Sequence, residues 1–212
     1  MKEKVKDFII KNLKWIILFI CLVGFLAIAE DVFHKEIMMK DIIGYKLVST
    51  FLISDFATPI AKFITNFGGA IILIIATIIL FILIKNRKIG ISIISNLAVV
   101  TILNQLLKNI LQRPRPTEFR IVEETGFSFP SGHSMVSMAF YGYLIYLIYK
   151  YVKNKYLKWI LIVLLSILIC TIGISRIYLG VHYTSDVLGG FLISISYLVI
   201  YISAVNKFLL EE

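Results

Sequence analysis

From Phe67 to Ile84 the chain runs through glycine, alanine, isoleucine, leucine, threonine and phenylalanine without one charged residue, and comparable stretches recur along its length. A hydrocarbon core about 30 Å thick is crossed by roughly 20 residues of helix. Backbone N–H and C=O groups in such a medium must be satisfied inside the segment itself, which a helix does. Of the 212 residues, 59% are hydrophobic and 17% charged, and the mean hydropathy of +0.90 lies outside the range of soluble domains. The expected fold class is therefore all-α, a polytopic membrane protein.

Six segments have the length and composition of spans: residues 15–29, 67–84, 89–107, 133–149, 157–174 and 187–205. The first is read as a retained span, because no cleavage pattern follows it at "AIAEDVF". Cys21 and Cys170 fall inside apolar segments and read as small hydrophobes. Lysine and arginine in short loops favour the cytoplasmic side. With the amino terminus inside, Lys2, Lys4, Lys6, Lys11, Lys14, Lys85, Arg87, Lys88, Lys150, Lys153, Lys155, Lys158 and Lys207 all fall inside. Trp15, Tyr149, Tyr151, Tyr156 and Trp159 then form an inner aromatic belt. Lys35, Lys40, Lys46 and Lys62 stay outside, in a segment from Glu30 to Asn66 that is too interrupted to span and reads as an amphipathic outer segment lying on the interface. Inner loops absorb most of the net charge of +9, so no nucleic-acid partner is implied. The expectation is one domain over residues 1–212, a six-helix bundle in the cell membrane with both termini cytoplasmic.

Three polar clusters then share the outer surface: "LLKNILQRPRP" at the end of the third span, "FPSGHS" at the start of the fourth, and "SRIYLGVHYTSD" after the fifth. They gather Lys108, Arg113, Arg115 and Arg176, the imidazoles of His133 and His182, the hydroxyl of Ser131 and the carboxylate of Asp186. Ionisable groups at a membrane edge are costly and therefore functional candidates. Four cations against one carboxylate repel one another unless an anion joins them, and the planar fork of arginine suits phosphate. In "PSGH", Pro130 sets the turn, Gly132 lets backbone approach a ligand, Ser131 offers a hydroxyl, and a helix opening near His133 aims free N–H groups and a positive dipole end outward. His182 and Asp186 are four residues apart and share a helical face. A carboxylate holding one imidazole nitrogen leaves the other free to attack phosphorus, and His133 then supplies a proton to the departing oxygen. Asn96, Asn104 and Gln105 inside the third span read as interhelical hydrogen bonders, and His34 carries no role.

These clusters resemble the signature of the type 2 phosphatidic acid phosphatase superfamily of membrane lipid phosphatases. That signature is a lysine followed after six residues by Arg-Pro, then Pro-Ser-Gly-His, then Ser-Arg followed by histidine and aspartate. Here the positions are Lys108 with Arg115 and Pro116, Pro130 to His133, and Ser175 and Arg176 with His182 and Asp186. The resemblance implies a six-helix bundle with its site on the outer face, His182 as nucleophile supported by Asp186, His133 as acid, and Lys108, Arg115, Ser131, Gly132 and Arg176 around phosphate. It covers the third to sixth spans; the residues before them match in span count alone, and Arg113 lies outside the signature.

The implied substrate is a lipid bearing a terminal phosphomonoester or pyrophosphate, of the undecaprenyl pyrophosphate or phosphatidylglycerophosphate type, with the former favoured because an outward site suits recycling of a carrier released outside. No metal or other cofactor is implied: Glu118, Glu123 and Glu124 lie nearby, yet the motif cations repel a divalent ion. The alternative is an anion-binding or lipid-phosphate-binding transporter. That function calls for polar residues through the bundle and broken helices, whereas the charges here stand at helix ends.

Overall fold

The computed structural model describes residues 2–34, 39–118 and 120–210. Eight α-helices follow in order among them: α1 (Lys2–Phe33), α2 (Met39–Leu52), α3 (Ala57–Asn66), α4 (Ala70–Leu83), α5 (Arg87–Leu111), α6 (Gly132–Tyr151), α7 (Lys155–Tyr178) and α8 (Thr184–Val205). A π-helical turn, Asn206–Leu210, follows α8. Lys35 lies outside the described residues, as do the side chains of Lys2, Lys4, Lys6 and Lys11.

Local chemistry sets several of these boundaries. Asn86 caps α5 by accepting from the Lys88 amide at 3.0 Å, and Asn154 caps α7 by accepting from the Leu157 amide at 3.0 Å. Such caps satisfy helix-end amides that otherwise lack partners, and each stabilises by about 1 kcal/mol. α5 stops where Gln112 turns left-handed at φ 44°, its amide still donating to the Lys108 carbonyl.

Four stretches are each long and apolar enough to cross a membrane: Asn12–Phe33, Arg87–Leu111, Lys155–Tyr178 and Thr184–Leu209. α3 and α4, bent by 50° at their junction, qualify together as a fifth. Their outward faces are apolar; Ile71, Ile78 and Ile82 of α4 are more than half exposed. A contiguous apolar surface of this extent belongs in lipid, and the chain is a multi-pass membrane protein.

Two sequence expectations change here. Hydropathy predicts a second span continuous from Phe67, but Phe67 to Gly69 form a turn and α4 begins at Ala70. Close packing explains the break: a Cβ on Gly68 would stand 2.8 Å from Ile172 Cγ2 and 3.2 Å from His133 Cβ. The fourth expected span corresponds to α6, whose 20 residues carry Ser134, Ser137 and several tyrosines and are too polar to qualify on composition. α6 is wrapped by α5, α7 and α8. Its Phe140, Tyr141, Tyr143 and Leu147 form the main core with Leu73, Ile89, Ile93, Ile169 and Ile172. Burial among helices, rather than apolar composition, accommodates its polar groups. The Asn96 amide donates to the Ala139 carbonyl at 3.1 Å and the Asn104 amide to the Pro130 carbonyl at 3.3 Å. Each such bond stabilises a membrane bundle by about 1 kcal/mol.

The segment before the bend forms α2 and α3, which pack on α7 and α8. The Tyr178 hydroxyl at the end of α7 meets Thr58 Oγ1 of α3 at 2.8 Å, and Asp41 of α2 accepts from the Ser185 amide at 2.8 Å, so these two helices cover the end of the bundle where all three polar clusters emerge.

Candidate active site

The tight loop from Leu179 to Tyr183 joins α7 to α8 and carries His182, only 3% exposed. Its Nδ1 lies 3.3 Å from Asp186 Oδ2, one helical turn on, and its Nε2 lies 3.1 Å from Arg115 Nη1. A guanidinium has donors and no acceptor, so Nε2 accepts and the ring proton sits on Nδ1, donated to Asp186. The pair therefore holds one tautomer, with the Nε2 lone pair aimed at the arginine. Burial pushes the His182 pKa down to about 4 from the usual 6.5, against the pull of Asp186, so the ring is neutral at neutral pH.

Asp186 is fully buried and held on both oxygens. Oδ2 also accepts from the Tyr183 amide at 2.8 Å and from the Ser128 hydroxyl; Oδ1 accepts from Arg113 Nη1 at 2.7 Å. Arg115 is threaded between loops, donating from Nε to the Gly126 carbonyl at 3.0 Å and from Nη1 to the Val181 carbonyl at 3.0 Å. Burial and then Arg176 lower its pKa, opposed by Glu124.

Beside His182 lies a polar cavity of about 390 Å³, whose lining includes Asn104, Lys108, Arg115, Glu124, Gly132 and His133. Lys108 donates to the Phe127 carbonyl. His133 faces the cavity from the first turn of α6, where the amides of Gly132 and His133 have no intrahelical acceptor. Arg176 is buried behind: Nη1 donates to Thr65 Oγ1 at 2.8 Å, Nη2 to Glu124 Oε1, and Nε has no partner among the described residues. Glu124 reaches both arginines, lying 3.7 Å from Arg115. Burial raises the Glu124 pKa, but the charge and hydrogen bond of Arg176 outweigh it and hold the carboxyl below its usual range.

Of the residues singled out from sequence, Lys108, Arg115, Gly132, His133 and His182 line this cavity, Asp186 stands behind His182, and Arg176 stands behind Glu124. Ser131 does not line it. Its hydroxyl is fully buried as the cap of α6, 2.9 Å from Ser134 Oγ, and its amide donates to the Asp186 carbonyl at 3.0 Å. Gln105, expected between helices, lines the cavity. Four contributors escaped the sequence: Asp41, Thr65, Ser128 and Glu124. Glu124 alone carried a signal, since four clustered cations demanded an anion and an acidic pair sat in the adjoining loop. The structure also gives Arg113 its place, buried between Asp186 and Asp41. Among the described residues no group of three or more histidine, cysteine or acidic side chains gathers as a metal set.

Comparison with known proteins gives matches on both sequence and fold. The family model described as the PAP2 superfamily matches residues 89–209. Phosphatidylglycerophosphatase B of Bacillus subtilis is 43% identical over 94 residues, which is 42% of this chain and 45% of that relative. Undecaprenyl-diphosphatase of Sulfolobus acidocaldarius is 26% identical over 189 residues, 84% of each chain. The crystal structure of the transmembrane PAP2 type phosphatidylglycerolphosphate phosphatase from Bacillus subtilis superposes with a TM-score of 0.81 at 26% identity, covering 90% of this chain and 96% of that one.

Proposed function

The chain belongs to the PAP2 superfamily, and we propose that it is a membrane lipid phosphatase removing the terminal phosphate of a lipid phosphomonoester or pyrophosphate through a phosphohistidine. The observation that carries this is the setting of His182, with Nδ1–H held by Asp186 and Nε2 accepting from Arg115 at the edge of a cavity lined by Lys108, Arg115 and His133. Arg115 donates to Nε2 in the structure, so attack requires that bond to pass to a phosphoryl oxygen. Nε2 then forms a bond to phosphorus while the bond to the lipid oxygen breaks, and His133 delivers a proton to that oxygen. Asp186 stabilises the positive charge growing on the ring. In the second step His133 takes a proton from water, the water oxygen displaces Nε2, and free phosphate leaves.

Lys108, Arg115 and Arg176, with the amides of Gly132 and His133, supply the electrostatic stabilisation that a metal supplies in other phosphatases. The lipid tail stays in the bilayer while its headgroup enters at the helix ends. Basic loops support six spans, with α6 the fourth and α3–α4 the second, both termini cytoplasmic and the site on the outer face. Groups at the site recognise phosphate rather than the remaining headgroup, which favours broad specificity. An outward site favours undecaprenyl pyrophosphate and its kin over phosphatidylglycerophosphate, and relatives bearing both names are compatible with either.

Phosphate release by the purified protein from a panel of lipid phosphates in EDTA is the test. Release without added metal is expected, with the larger kcat/KM for undecaprenyl pyrophosphate. Activity lost in EDTA and restored by magnesium would overturn the metal-free mechanism; a strong preference for phosphatidylglycerophosphate would reverse the substrate order.

A further inference from the structure

Asp41 stands on α2, a helix outside the region matched by the family model, yet its carboxylate is 2% exposed and engaged on both oxygens inside the site. Oδ2 accepts from Arg113 Nη2 at 2.8 Å, and Oδ1 accepts from the Ser185 amide in the first turn of α8 at 2.8 Å. Arg113 uses its other nitrogen on Asp186 Oδ1 and on Ser185 Oγ, both at 2.7 Å, and its guanidinium lies 4.1 Å from the centroid of the Tyr183 ring. α2 comes this close because Gly44 has no side chain: a Cβ there would stand 2.1 Å from Thr184 Oγ1. We infer that Asp41 and Arg113 act as one positioning pair for the reaction proposed above, fixing the orientation and preserving the charge of the Asp186–His182 couple.

Geometry and charge both support this. Arg113 occupies Oδ1 of Asp186, which keeps Oδ2 turned to the histidine. Its own positive charge would oppose the stabilisation that Asp186 gives to a ring becoming cationic. Asp41 cancels that charge, so the set of Asp41, Arg113 and Asp186 retains one negative charge beside His182. A guanidinium spans two carboxylates with its planar fork, which an ammonium does not.

The inference rests on the hydrolytic function, so its experiment measures wild type and variants together. Steady-state phosphate release from one lipid phosphate is followed for full-length wild type, Asp41→Asn, Arg113→Lys and the double variant, each checked by size-exclusion profile and thermal melt. Expected is a fall in kcat of roughly 10- to 100-fold in each single variant, the range seen when a partner that orients a reacting group is lost, with KM within about twofold and the double variant no slower than the worse single. Packing alone would leave kcat of the folded variants near wild type. If Asp41→Asn is not recovered folded, Arg113→Lys, which keeps the charge but cannot bridge, reads the same quantity. Folded variants with kcat within about twofold of wild type, or losses that multiply in the double variant, overturn the pairing while hydrolysis stands. A wild type that releases no phosphate from any lipid overturns hydrolysis and the pairing with it.

Discussion

Residues 89–209 and the helices before them contribute to the site in different ways. The later region supplies every group proposed to touch phosphorus or its oxygens, and supplies them in blocks: Lys108 with Arg115, Gly132 with His133, His182 with Asp186. The earlier region supplies single residues from separate helices, each meeting a reacting group or its partner from behind. Asp41 of α2 holds Arg113, Thr65 of α3 holds Arg176, and Gly68 at the α3–α4 bend packs against His133. Phe25 of α1 stacks on Phe129 beside the "PSGH" turn with centroids 5.7 Å apart. The groups proposed to react come as short blocks at three helix ends, whereas the supporting residues come singly from helices earlier in the chain.

The contrast predicts a graded series of effects. His182→Ala sits at the extreme: with the nucleophile removed, turnover should fall by at least about 10⁴-fold and acid-labile labelling of the enzyme by phosphate-labelled lipid should vanish. A His182→Ala protein that still labels would move the chemistry elsewhere. Thr65→Val tests the supporting region directly. It removes an acceptor from a buried arginine, a loss of about 1.5–3 kcal/mol, so KM should rise about tenfold with kcat less affected. An unchanged KM would reduce α3 to packing and blur the distinction drawn above.

Glu124→Gln should act in the opposite direction. The Glu124 carboxylate lies on Arg176 and near Arg115, where a phosphoryl group is proposed to bind, and a neutral amide holds those cations about half as strongly. Loss of roughly 1 kcal/mol of competition corresponds to a KM about fivefold lower, measured with the same lipid; a KM that rises instead would make Glu124 part of the binding surface. The smallest effect concerns pH. His182 is held down to about 4 while an unfolded chain titrates near 6.5. Nitrogen-15 spectra should contain a ring that stays neutral from pH 8 to 5 and titrates with a midpoint near 4, a signal absent in His182→Ala. The sign for stability follows: the unfolded chain takes up this proton first, so the folded state loses stability as pH falls from about 6.5 towards 4, and gains none above 6.5. A midpoint near 6.5 would mean that His182 is not shielded by the surrounding helices.

Much of this was legible in the chain. The long apolar runs dictate helices in a membrane because hydropathy is a local property, and four of the stretches stand as single helices long enough to cross. His182 and Asp186 face each other because four residues make about one helical turn. Cation clustering pointed to an anionic ligand, whereas in the structure Glu124 and Asp41 hold Arg176 and Arg113. The tertiary structure decided the rest. Whether Phe67 begins a span depended on the room that His133 and Ile172 leave beside Gly68. Ser131 became a buried cap instead of a cavity hydroxyl because Ser134 and Asp186 took its polar groups. Arg113, one arginine of "RPRP", had no readable role until Asp41 met it, and Asp41 lies 144 residues from the Ser185 amide it also accepts. Periodicity and hydropathy act between near neighbours, so the sequence alone determines the helices and which polar groups share a single turn. Neutralising a buried charge is a condition on whatever lies within about 4 Å in space, and only packing of the whole bundle decides which residue that is.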